Sequence, residues 1–242
     1  MDQLPIFARS KCETCKLRRE TWFCNLPREA LAELDRVKQT RIFSPRERLF
    51  EQGEPADDLM IVCQGLAALR FSSANGNTLT LGFAEPGEVL GLSAAISARP
   101  HQISAEALEN TRVAMIPRTE FLRLLQRFTP VAINAGAALS RKVNRAYDKI
   151  RLIGSGFSVP QRLAAWLLDM ERKCAEGQDS IKVSFTHEQI AQLLGTSRES
   201  ITRGLSNLKR RGVLDVHGIQ VRVRDREYLR SLVQSTECRR PN

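Results

Sequence analysis

Four of the chain's cysteines have types and spacing that could do chemistry together. Cys12-x2-Cys15-x8-Cys24 puts three thiols in one short N-terminal arm, and Cys63 adds a fourth within the apolar run Leu59–Gln64. Thiols clustered in a reducing compartment point to a metal ion, an iron–sulfur cluster or a regulatory disulfide more than to structural cross-links. A buried, inert Cys63 beside a vestigial arm would explain the same residues. Cys174 reads as a small core residue on a helix, and Cys238 sits in a polar tail.

A second set lies near the C-terminus. If a helix starts at about Ser197, its outward positions are Arg198, Glu199 and Arg203. Arginine can fork onto O6 and N7 of guanine, and glutamate can accept from the N4 amine of cytosine. Thr196, Ser197 and Thr202 suit phosphate contacts, as do Lys209, Arg210 and Arg211. The basic triplet equally suits a solvated helix end that complements the macrodipole. The charge balance agrees with a polyanionic partner: Lys plus Arg is 37 against 27 Asp plus Glu. From Ser158 onward there are 15 basic and 10 acidic residues, so half of the +10 lies there.

These residues need elements to hold them. A short helix is expected over Pro27 to about Val37, with Pro27 in its first turn. Thr40 to about Arg118 shows short alternating runs punctuated by Gly53, Gly65, Gly76, Gly87 and Gly91, the pattern of a sandwich, barrel or jelly roll. In one run Leu79, Leu81 and Phe83 share a strand face. A helix over about Arg118–Arg127 precedes a long one from Pro130 to about Ile153. The long helix carries Ala132, Gly136, Leu139, Val143, Ala146, Ile150 and Ile153 in alternating steps of four and three, a heptad seam for a second copy of the chain. The other reading is packing on its own domain.

Gly154-Ser155-Gly156 reads as a hinge, and Pro160 opens another helix. Thr186-His-Glu-Gln189 and Thr196-Ser-Arg-Glu199 are capping-box patterns, each starting a helix, with Gly195 turning between them. Ile181–Val183 suits a short strand, and Val213–Val216 with Ile219–Val223 suits a hairpin turning at His217-Gly218. Two helices joined by a tight turn and followed by a hairpin make a winged helix-turn-helix. The fold expected is α+β: arm 1–26, β-rich sensor domain 27–128, dimerisation helix and hinge 129–156, winged helix-turn-helix 157–236 and tail 237–242.

The stretch Ile190-Ala-Gln-Leu-Leu-Gly-Thr-Ser-Arg-Glu-Ser-Ile-Thr-Arg203 resembles the helix-turn-helix of the Crp/Fnr regulators. Leu49-Phe50-x2-Gly53-x3-Asp57-x-Leu59-x2-Val62-x2-Gly65 and Gly87-Glu88-Val89-Leu90-Gly91 resemble that family's cyclic-nucleotide-type β-roll. The resemblance spans about residues 27–235. It implies a dimeric, sequence-specific regulator of transcription that reads double-stranded DNA with Arg198, Glu199 and Arg203, on a palindrome of TGTGA-like half-sites, with RNA polymerase as a partner. It also implies a signal. Cyclic AMP is not the one expected, because Arg99-Pro-His101-Gln102-Ile103 offers no arginine directly before a small hydroxyl residue to hold a cyclic phosphate. Glu88, the counterpart of a ribose contact, equally suits a turn.

The arm is similar to the cysteine arm of the Fnr branch, which implies an iron–sulfur cluster on Cys12, Cys15, Cys24 and a fourth thiolate. The second spacing is longer than in that arm, and Ala114 stands where the pattern has its fourth cysteine. Cys63 would replace it if its strand pairs with that of Ala114, since paired strands lie about 4.8 Å apart. Zinc, or no metal, remains open. The competing function is a ligand-binding module that docks a protein partner through its basic C-terminus. The chain has no P-loop or Gly-x-Ser-x-Gly motif, so an enzyme is not expected. It has no apolar run of membrane-spanning length and no secretory signal, which makes the cytoplasm the expected compartment.

Overall fold

The computed structural model describes residues 11–20, 23–75, 78–154, 156–172, 181–182, 185–217 and 220–234. Cys174, Cys238, Gly76, Ser155, Val183, Gly218 and the tail lie outside them, as do the side chains of Ile150 and Ile153. The chain divides into two units, Met1–Asn144 and Arg145–Asn242.

The first unit opens with a 3-10 turn at Cys12–Thr14, then α1 (Leu17–Glu20) and α2 (Arg28–Val37). Eight strands follow: β1 (Gln39–Phe43), β2 (Arg48–Phe50), β3 (Asp58–Gln64), β4 (Ala67–Ser72), β5 (Thr78–Ala84), β6 (Val89–Leu90), β7 (Ser104–Ala107) and β8 (Thr111–Pro117). The short helix α3 (Leu92–Ser97) separates β6 from β7. The strands form two antiparallel sheets, ordered β1-β8-β3-β6 and β2-β7-β4-β5. Helices α4 (Arg118–Arg127) and α5 (Thr129–Gly154) complete the run, and α5 extends into the second unit.

Strand β3 explains why its sequence is apolar without a break. Met60 and Val62 point into a core with Phe43, Phe50, Ala105 and Val113 from both sheets. Leu59 and Ile61 point the other way, into a core with Leu31, Leu34, Phe121 and Val131 from α2, α4 and α5. A strand buried on both faces loses the alternation that marks a half-exposed one.

Strand β5 departs from the single face expected to hold Leu79, Leu81 and Phe83, of which only Phe83 is buried. Leu79 and Leu81 are 39% and 37% exposed, while Thr80 is buried. The pairing of β4 with β5 shifts register between Leu69 and Arg70, and such a bulge uncouples the sequence alternation from the core. Gly65, between β3 and β4, has φ +92°, and a Cβ there would come within 2.7 Å of the Asn110 carbonyl oxygen and Thr111 Cα. Gly65→Ala is therefore expected to destabilise the protein by about 1–3 kcal/mol or more. Urea unfolding measures this, and an unchanged midpoint would refute the tight backbone approach.

On α5, Val131 and Ala135 are buried, and Leu139 is half-buried against the unit's own core. Ala132, Gly136, Val143 and Ala146 are exposed. Leu139 thus serves its own unit in part, which the heptad reading did not anticipate. Ile133 and Tyr147, outside that reading, are 62% and 61% exposed.

The second unit contains α6 (Val159–Arg172), β9 (Ile181–Lys182), α7 (His187–Leu194), α8 (Arg198–Arg210), β10 (Leu214–His217), β11 (Gln220–Val223) and α9 (Arg226–Gln234). Its strands form one antiparallel sheet, β10-β11-β9. Leu163, Leu167, Ile190, Leu194, Ile201, Leu208 and Leu229 make its core. Helix α9, unforeseen in the sequence, closes that core through Leu229.

Candidate nucleic-acid interface and cysteine arm

Helix α7 starts with a complete capping box. Thr186 accepts from the Gln189 backbone N–H, and the Gln189 side chain accepts from the Thr186 N–H. It ends at Gly195 in the left-handed conformation, φ +61°. Arg162 on α6 fixes this end by donating to the carbonyls of Leu194 (2.6 Å) and Gly195 (3.3 Å). The second cap lies one residue later than the sequence pattern placed it. Ser197, not Thr196, is the N-cap of α8, and its hydroxyl accepts from Ser200 N–H at 3.2 Å. The displacement has a simple cause: Thr196 is still in the turn, where its N–H bonds the Ala191 carbonyl.

Ile201 and Leu208 bury one face of α8, and Gly204 lets the helix approach Leu163, which an added Cβ would meet at 2.8 Å. The opposite face carries Arg198, Glu199, Thr202 and Arg203, all exposed. This is the disposition that base readout requires. The N–H of its own residue and the Ser197 hydroxyl, helped by Arg198 and Arg203, hold the Glu199 carboxyl below its usual range, so it is an acceptor at neutral pH.

The other candidates divide. The Thr202 hydroxyl donates to the Arg198 carbonyl at 2.9 Å and lies 2.9 Å from His187 Nδ1, tying α8 to the start of α7. Lys209 and Arg210 are exposed at the helix end. Arg211 lies over the Tyr228 ring and donates to its hydroxyl at 3.0 Å, so it also anchors α9. In the β10–β11 hairpin, Asp215 pairs with Arg224 and His217, each at 3.0 Å. His187, Arg162 and Tyr228 were not singled out by sequence, because their roles depend on partners distant in the chain.

In the arm, both carboxylate oxygens of Asp35 accept the Cys12 backbone N–H at 2.9 Å. Lys38 donates to Asp35 (2.5 Å) and to Cys12 Sγ (2.9 Å), with its side chain only 7% exposed. Burial opposes the Lys38 charge, but the hydrogen bonds to Asp35 and Cys12 outweigh it and raise its pKa. Burial also pushes the Cys12 thiol up to about 12, against the pull of Lys38. Asn134 on α5 donates to the carbonyls of Phe23 and Asn25, which secures the far end of the arm.

The expected pairing of β3 with β8 is observed, with Ile61 opposite Ala114 and a bulge between Val62 and Gln64 that contains Cys63. Cys12, Cys24 and Cys63 pack against the same core. Burial pushes the Cys63 thiol up as well, partly offset by Lys38 and Arg112. Four thiols suit an iron–sulfur cluster in kind. In the arrangement described they are not gathered: among the described residues no three His, Cys, Asp or Glu side chains are placed to hold a metal ion. Lys38 occupies the approach to Cys12 Sγ, and both half-buried thiols resist the ionisation that ligation requires.

A docked Cys12 has a chemical signature. Thiolate is the reactive form, so at about pH 8 Cys12 is expected to be alkylated on the order of 10²–10³-fold more slowly than a small-molecule thiol. Because its folded-state pKa is raised, its contribution to stability is complete below the ordinary thiol pKa and is lost as pH rises through about 12. Iodoacetamide labelling followed by peptide mass analysis measures the rate. Reaction as fast as that of glutathione would contradict the docked geometry.

Inside the roll, His101 is buried and stacks on Phe50, with ring centroids 3.9 Å apart. Burial holds its pKa below the usual histidine value. Glu88 lies in a turn: its N–H bonds the Glu85 carbonyl, and its own carbonyl accepts from Val62.

Comparison with known proteins matches the two units separately. Residues 40–128 match the cyclic nucleotide-binding domain model, and residues 161–232 match the Crp-like helix-turn-helix domain model. The transcriptional regulatory protein btr of Bordetella pertussis is 28% identical, over 94% of this chain and 95% of its own. The transcriptional activator protein Anr of Pseudomonas protegens is 26% identical, over 90% of each. The solved structure of FixK2 from Bradyrhizobium japonicum superposes with TM-score 0.69 at 26% identity, over 81% of this chain and 97% of that one. With both domains in this order, and relatives matched nearly end to end, the chain belongs to the Crp/Fnr family of DNA-binding transcription regulators.

Proposed function

We propose that the protein acts as a homodimer that binds a palindrome with TGTGA-like half-sites and regulates transcription by contact with RNA polymerase in the cytoplasm. The observation that carries this reading is the exposed set Arg198, Glu199 and Arg203 on a helix fixed at both ends of its turn. A protein-docking surface would not need that set. Dimerisation is supported by the exposed small and apolar residues Ala132, Gly136, Val143 and Ala146 on α5. Fluorescence anisotropy on a TGTGA palindrome and on its scrambled counterpart tests the reading. A preference for the palindrome of about 10³-fold or more is expected, and equal affinity for both would refute it.

The roll is read as responding to something other than cyclic AMP. Phe50 and His101 fill part of its interior, and burial disfavours the His101 charge that would pair with a phosphate. The arm is read as redox-responsive through Cys12, Cys15, Cys24 and Cys63, with an iron–sulfur cluster before zinc. Either metal requires Lys38 to leave Cys12 and the buried thiols to ionise. Iron, sulfide and zinc analysis of anaerobically purified protein decides. If Cys63→Ser keeps the full metal content, the fourth ligand is wrong, and metal-free wild type would leave the arm a thiol switch or inert.

A further inference from the structure

Of the chain's three histidines, His101 is buried in the roll and His217 pairs with Asp215 in the β10–β11 hairpin. His187, the first residue of α7, is exposed and meets α8, with Nδ1 2.9 Å from Thr202 Oγ1. Thr202 stands among the base-reading candidates, one turn after Arg198 and next to Arg203. A ring held against Thr202 therefore borders the face that α8 turns to DNA. In a helix-turn-helix the second helix enters the major groove while the first crosses the backbone. The start of α7, beside that face, then runs where phosphates lie.

The hydrogens at this contact can be counted. A threonine hydroxyl has one, and Thr202 donates it to the Arg198 carbonyl at 2.9 Å. Toward His187 it can only accept, so Nδ1 carries a hydrogen and donates it. A neutral imidazole has a hydrogen on one nitrogen only. Nε2 is then a bare acceptor, which a phosphate oxygen would repel. With a second proton, on Nε2, the ring keeps its bond to Thr202 and gains a cationic donor. Contact with a phosphate therefore requires the imidazolium.

The surrounding charges leave that choice to the DNA. Glu199, held ionised, shares the exposed face of α8 with the guanidinium groups of Arg198 and Arg203, so both signs are present there. On α7 the neighbouring Glu188 accepts from Gln192 at 3.3 Å. Helix α6, also packed on α7, brings Arg162, which is spent at the far end of α7 on Leu194 and Gly195. An arriving phosphate adds negative charge beside the ring and favours its protonated form.

We infer that His187 is a DNA-backbone contact made only by its imidazolium, so that each protomer takes up a proton as it binds DNA. The inference rests on the reading of α8 as the recognition helix. Fluorescence anisotropy with the palindrome and its scrambled counterpart, at about pH 6 and about pH 8, spans the interval over which histidine side chains change charge. Wild-type protein is expected to bind the palindrome about tenfold more tightly at the lower pH. Its salt slope there is expected to be steeper by about two, one phosphate contact for each protomer. His187→Gln is expected to bind at both pH values as weakly as wild type does at the higher one. His187→Arg, a donor at either pH, is expected to bind at both as tightly as wild type does at the lower one. A wild-type affinity that does not change with pH overturns the inference, as does a pH response in His187→Gln or His187→Arg equal to that of wild type. Equal wild-type affinity for palindrome and scrambled duplex at both pH values would refute the reading of α8, and the inference with it.

Discussion

Val143→Glu is expected to convert the protein to a monomer and to reduce affinity for a two-half-site palindrome by roughly 10²–10⁴-fold, the gain that two linked half-site contacts provide. Val143 is 48% exposed on α5. Its near neighbours on that face, Gly136 and Ala146, are small, and the exposed seam positions carry no acidic residue. In a two-fold helix pair the substituted carboxylates would face each other and lose water, an arrangement that costs several kcal/mol when unpaired. Half-site binding through α8 would survive, because α8 lies wholly in the second unit. Sedimentation equilibrium on wild type and variant gives the answer. A wild-type monomer, or a variant that remains dimeric, would refute the role of this face.

Arg203→Ala is expected to cost about 1–3 kcal/mol on the palindrome and to relax selection at one guanine in each half-site. Arg210→Ala is expected to weaken all sequences alike and to lower the salt slope by about one. The contrast follows from position: Arg203 lies on the exposed face with Arg198 and Glu199, whereas Arg210 lies at the helix end and contacts Asn207 at 3.3 Å. Arg211→Ala should add a loss of stability that Arg210→Ala lacks, because Arg211 packs on Tyr228. Competition binding against single-base variants at several salt concentrations separates the three. If Arg203→Ala weakened every variant site equally, its assignment to base readout would be wrong.

What the sequence made legible was local. Thr186 and Gln189 announce their helix because cap and partner are three residues apart, and Gly195 announces the turn because little else adopts positive φ there. Helix α4 was placed at the bounds it has, Arg118–Arg127. The near miss at Thr196 shows the limit of this: two hydroxyl residues in a row both fit a cap, and only the α7 carbonyl that takes the Thr196 N–H decides between them. Leu79 and Leu81 misled because β5 bulges at Leu81, the extra residue between Thr80 and Gly82 in the pairing with β4, and the bulge sets which side meets the core.

The least legible parts are contacts between residues far apart in the chain. Cysteine spacing pointed to the arm, but nothing in it foretold that Asp35 and Lys38, one turn apart at the end of α2, would hold Cys12. That contact changes the chemistry expected of Cys12, from a ready thiolate ligand to a half-buried thiol that resists ionisation.

The central claim is sequence-specific reading of DNA by a two-fold pair of α8 helices. Selection of bound fragments from a random DNA pool by the full-length protein tests it most directly. The expected result is an enriched palindrome with TGTGA-like half-sites about one helical turn apart, about 10 base pairs between centres. Recovery of no enriched motif, or of a single unpaired half-site, would contradict it.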